Sequence, residues 1–130
     1  MIIQFCTIGT PSWYQIGDNW YFFRKQFSNF FEANLLCEEL GAKLFEPNSL
    51  NIQNIILDIP IMQTLPIWLG ITNTGKYQSE SKWQWLSNNS LTDWASENAE
   101  NALTYDDEPR NCLYLNAYRY PGPRHWDKTR

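Results

Sequence analysis

The sequence predicts an α+β domain with two helices, antiparallel strands and one long polar loop. Three observations predict it. Two segments carry apolar residues at helical spacing between helix-capping residues. Four short segments have the alternating or continuous apolar pattern of strands, and residues 86–111 have neither pattern.

Taken in order, Trp20-Tyr21-Phe22-Phe23 reads as an early strand, rich in aromatics that suit a pleated surface. The first helix follows. Asn29 can cap it, Glu32 stands three residues on, and Gly41 can end it in a left-handed conformation. Phe30, Ala33, Cys37 and Leu40 fall on one face, which places Cys37 on the buried side. A second helix starts near Asn48 or Ser49. Its expected core stripe is Ile52, Ile55, Ile56 and Ile59, and Pro60 stops it.

Trp68-Leu69-Gly70-Ile71 is a buried-strand candidate, and Lys82-Trp83-Gln84-Trp85 alternates like a half-buried strand. The stretch from Leu86 to Asn111 is rich in Asn, Ser, Asp and Glu. A loop of that length inside a compact domain usually serves a function, and Trp94 and Tyr105 within it favour order. Cys112-Leu113-Tyr114-Leu115 resumes as a strand, and Trp126 lies near the end.

The composition narrows the function. With 130 residues the chain is long enough for one domain with its own core. Ten basic and 14 acidic residues, net charge −4, argue against phosphate-dependent binding of nucleic acid, which needs clustered Lys and Arg. A hydrophobic content of 43% excludes a disordered tail. The most apolar stretch, Ile52 to Ile71, is broken by Asp58, Pro60 and Pro66, so no membrane span is expected within the chain. Met1 to Cys6 has no basic start and no long apolar run, so a leader or anchor for export is expected to lie outside this sequence. Cys6, Cys37 and Cys112 make an odd count without zinc-site spacing. Asn88-Asn89-Ser90 is a formal N-glycosylation triplet, which makes Asn88 a candidate glycosylation site.

This order of features resembles the C-type lectin-like domain family. Phe31-Glu32-Ala33, Cys37 and Gly41-Ala42-Lys43-Leu44 are similar to its first helix. Trp68-Leu69-Gly70-Ile71 is similar to its Trp-Ile-Gly-Leu strand. Trp83-Gln84-Trp85, Ser87-Asn88 and Trp94 resemble the opening of its long loop, Asn111-Cys112 its later cysteine, and Trp126-Asp127-Lys128 its Trp-Asn-Asp. The resemblance runs from about residue 13 to the end. It divides the chain into an N-terminal extension, 1–12, and a lectin-like domain, 13–130. The implied fold is the C-type lectin-like one, with the long loop binding ligand.

The resemblance also implies that Cys37 bonds a cysteine in a final strand and that Cys112 bonds one just beyond Arg130. Both mates are absent by this reading, so the domain is expected to lack its closing strand. Cys6 then has no mate, and is a free thiol or a link to another chain.

Sugar-binding members of the family hold a calcium ion, which needs roughly six to eight oxygen ligands. The family's loop motif, Glu-Pro-Asn or Gln-Pro-Asp, would fall at Asn98-Ala99-Glu100 or Glu97-Asn98-Ala99, and neither has the proline. Arg110 stands where the family has a Glu, and Lys128 where it has an Asp; Asp127 can still supply oxygen. An ammonium cannot coordinate calcium, and nearby cations repel it. Calcium is therefore disfavoured and no cofactor is expected. Arg110 and Lys128 can instead pair with Glu100 or Asp127 in the vacated place. The run Asp106-Asp107-Glu108 reads as a solvated turn.

The candidate ligand-binding residues are thus Asn98, Glu100, Tyr105, Arg110, Asn111, Asp127 and Lys128. Tyr118 and Tyr120 are further aromatic candidates, while the family's equivalents of Trp94 and Trp126 pack in the core. Catalysis finds no support: His125 is the single histidine, and there is no nucleophile motif or phosphate-binding glycine loop. The expectation is a secreted or extracellular recognition module. It binds carbohydrate with a degenerate calcium site, or alternatively a protein ligand without calcium.

Overall fold

Aromatic and β-branched residues build the sheet of the computed structural model, which describes residues 2–73, 83–87, 90–102, 112–116 and 126–129. The strands are β1 (Ile3–Ile8), β2 (Tyr14–Ile16), β3 (Asn19–Phe27), β4 (Lys43–Leu44), β5 (Ile67–Asn73), β6 (Trp83–Trp85), β7 (Cys112–Leu115) and β8 (Trp126–Thr129). The helices are α1 (Phe30–Glu39), α2 (Leu50–Leu57) and α3 (Asp93–Glu100), with a 3-10 turn at Pro60–Thr64. The sheet runs β2-β3-β1-β5-β7-β8, with β4 paired to β1 and β6 to β5. Its pairs are antiparallel except where β1 meets β5 at Ile3 and Ile67, and at the isolated bridge Phe45–Leu69.

Successive side chains on a strand point to opposite faces, so each face acquires its own core. One holds Phe5, Phe45, Ile56, Leu57, Leu69, Ile71, Trp85, Leu113, Leu115 and Trp126, together with Ala95 and Ala99 of α3. The other holds Cys6, Leu44 and Trp68 under Ala33 and Cys37 of α1. Helix α1 therefore lies on one face, and α2 and α3 on the other.

Helix α1 is capped as expected: Asn29 Oδ1 accepts from the Glu32 amide at 2.8 Å, and Gly41 follows with φ +69°. Ala33 and Cys37 are buried, and Phe30 packs edge-on against Trp68 at 5.8 Å. Leu40, expected on the same stripe, is exposed because it is the C-cap and lies past the last helical turn. Gly70 is required by space. A Cβ there would stand 2.9 Å from the Leu44 carbonyl oxygen, so β4 could not lie across β5.

Four expectations are corrected. Residues 3–8 do not form an extension outside the domain: β1 lies in the interior of the sheet between β3 and β5, with Ile3 and Phe5 in the core. Cys37 does not lack a mate. It is bonded to Cys6 of β1, with the Cα atoms 5.8 Å apart, so Cys6 is not free and the bond expected from a final strand is made by the strand at the front. Helix α2 begins after its Ser49 cap but is turned about its axis. Ile56 and Ile59 are buried, whereas Ile52 and Ile55 are 39% and 44% exposed. Gln53 faces inward instead, because its Oε1 accepts the indole proton of buried Trp126 at 2.8 Å. Finally, the long polar stretch contains a third helix, α3, capped by the Thr92 hydroxyl.

Candidate functional site

Helix α3 is positioned from three directions. At its start, Thr92 Oγ1 accepts from the Ala95 amide at 3.2 Å, and Asp93 sits in the first turn, where a carboxylate suits the helix dipole. On its underside Ala95 and Ala99 are buried, and Trp94 meets Trp126 edge-on at 5.5 Å. At its end, Lys128 Nζ of β8 donates to the Glu100 carbonyl oxygen at 3.5 Å.

Trp126 is the post against which this arrangement is built. It is buried between Trp94 and Trp85, at 5.5 and 6.1 Å between ring centroids, and its indole proton goes to Gln53. Both tryptophans of the loop region that the resemblance assigns to the core, Trp94 and Trp126, pack there.

The structure brings together part of the expected site. Asn98 and Glu100 stand on α3 with Lys128 alongside. The Asn98 amide donates to the Trp94 carbonyl oxygen at 2.8 Å, which uses one of its donors inside the helix. Glu100 is exposed and Lys128 half-buried. Asp127 is not with them. Along β8, Trp126 pairs with Leu115 and Lys128 with Leu113, whereas Asp127 pairs with Tyr114 and belongs to the opposite face. It is 0% exposed, and Asn116 Nδ2 donates to its Oδ2. Asn116 and Gln53 were not singled out from the sequence: each is an ordinary amide there, and only the buried partner gives it a role. Tyr105, Arg110, Asn111, Tyr118, Tyr120, His125 and the candidate glycosylation residue Asn88 lie outside the described residues.

Cys112, on β7, is the free cysteine among the described residues. Burial pushes its thiol up to about 11. No helix among the described residues is long and apolar enough to cross a membrane.

The family model of the lectin C-type domain matches residues 26–129. The chain belongs to the C-type lectin domain family. No curated protein and no solved structure matches it. C-type lectin domains are recognition modules. In this C-type lectin domain the matched stretch starts within β3, and β1, with its half-cystine, stands ahead of it.

Proposed function

We propose that this C-type lectin domain is an extracellular recognition module that binds carbohydrate without calcium at the family's usual place. The observation that carries the calcium part is Lys128. Its ammonium stands beside the end of α3, 3.5 Å from the Glu100 carbonyl oxygen, and a positive charge there would repel a calcium ion held nearby. The burial of Asp127 on the other face supports the same reading, since it withdraws one anionic oxygen donor. What remains on the α3 side is a polar surface of amide, carboxylate and ammonium groups, the chemistry that hydrogen-bonds sugar hydroxyls. The disulfide of Cys6 and Cys37 supports an oxidising, extracellular setting.

A protein ligand is the second reading. It is favoured by Phe27, Phe31 and Leu35, large apolar side chains left exposed at the end of β3 and on α1. A glycan array run with calcium and again with a chelator separates the two. The expected outcome is a glycan signal that survives chelation. Signal lost on chelation would refute the calcium-free reading, and no signal in either condition would favour the protein ligand.

A further inference from the structure

The segment Glu46-Pro47-Asn48, between β4 and α2, reaches across to the root of the long loop. Glu46 accepts from the amide and the hydroxyl of Ser87. Asn48 makes the denser set. Its Oδ1 accepts from Trp85 Nε1 at 2.8 Å and from the Thr92 amide at 3.2 Å. Its carbonyl oxygen accepts from the Thr92 hydroxyl at 2.6 Å, and its Nδ2 lies 3.4 Å from the Ser90 carbonyl oxygen. One side chain thus joins the end of β6, the turn beyond it and the cap of α3. Among the described residues, the other attachments of α3 are the two buried alanines, the edge-on contact of Trp94 with Trp126 and the long bond from Lys128.

We infer that Asn48 is the positioning residue of the α3–β8 face, holding α3 to the body of the domain so that the helix can open as a unit when Asn48 is lost. The hydrogen bonds at the root of α3 tie its cap to the rest of the domain, so their loss lowers the cost of opening the helix locally. The sheet does not depend on Asn48 for its pairing, because the ladders of β1 with β3 and of β5 with β7 do not pass through it. The consequence for ligand binding rests on the reading of this face as the recognition surface; the positioning of α3 does not.

Hydrogen exchange followed by mass spectrometry on the full chain decides it. In Asn48→Ala, amides in residues 92–102 should exchange at least about tenfold faster than in the parent, since bonds at the root of α3 are lost. Amides of β1, β3 and β5 should keep their parental rates. Asn48→Asp retains the acceptor for Trp85 and Thr92, so it should restore slow exchange in α3. Faster exchange spread evenly over the sheet would overturn the inference, as would unchanged exchange in α3. If Asn48→Ala does not fold, Asn48→Ser, which withdraws the acceptor from Trp85 and the Thr92 amide while leaving the α3 cap intact, is read by the same two regions. A parent protein that bound no ligand would sink the proposed function and leave this exchange pattern unaffected.

Discussion

Two tryptophan indoles near the α3 face find their acceptors on amide side chains: Trp85 on Asn48 and Trp126 on Gln53. A buried N–H without a partner costs about 1–3 kcal/mol, so these two amides are held in place by the rings they satisfy. Cys112 is governed by burial too. With its thiol raised from 9.0 to about 11, the reactive thiolate is scarce at neutral pH. Iodoacetamide at pH 8 should label Cys112 in the folded protein at least about tenfold more slowly than in the denatured chain. The rate should climb as pH approaches 11. The sign for stability follows: between 9.0 and about 11 the unfolded chain gives up the proton first, so this group's contribution to stability falls as pH rises through that window. Equal labelling rates in folded and denatured chains at pH 8 would contradict the burial of the thiol.

At the scale of elements, the orientation of α2 is the sharpest test. The sequence pattern makes Ile52 and Ile55 equivalent to Ile56, yet the structure buries Ile56 fully and leaves Ile55 facing out. Ile56→Ala should cost about 2–5 kcal/mol and Ile55→Ala less than about 1 kcal/mol, measured by urea unfolding. Similar losses at both positions would show that the helix is turned the other way. The stripe misleads because apolar spacing records which residues can be buried. It does not record that an indole opposite needs an acceptor, and Gln53 wins the inward position on that account. The capped start of α1 was legible for the opposite reason: Asn29, Glu32 and Gly41 act through their own backbone neighbours, within a few residues. Helix α3 was illegible because Asp93–Glu100 buries only two alanines and the side of Trp94, too little to print an apolar stripe on the sequence. Of the candidate site, the resemblance names Asn98, Glu100 and Lys128, which stand together, while the separation of Asp127 from them depends on strand alternation and pairing that spacing does not reveal.

For the molecule as a whole, the bond of Cys6 to Cys37 ties the front strand to the first helix across 31 residues. A cross-link of this kind stabilises a small domain by about 2–5 kcal/mol. Cys6→Ser with Cys37→Ser should lower the unfolding free energy by that amount with the fold retained, because β1 keeps its ladder to β3. Unchanged stability in the double variant would show that the bond contributes nothing. The pairing was not legible in the sequence, since it is set by which strand enters the middle of the sheet, and that is decided by contacts far apart in the chain. The same topology explains why the short front segment, which reads as a tail, is core: the strands it pairs with, β3, β4 and β5, all come later.

That order has a consequence for synthesis. Strand β1 leaves the ribosome before either strand that will flank it, and its second neighbour, Ile67, follows some sixty residues later. At about 5–20 residues per second this is a wait on the order of several seconds, during which the edge of β1 opposite β3 has only the two-residue β4 to pair with. Until β5 arrives a chaperone can act on Ile3–Ile8 along that edge, and because α1 is made before β5, the bond of Cys6 to Cys37 can secure the strand earlier than its second flank does.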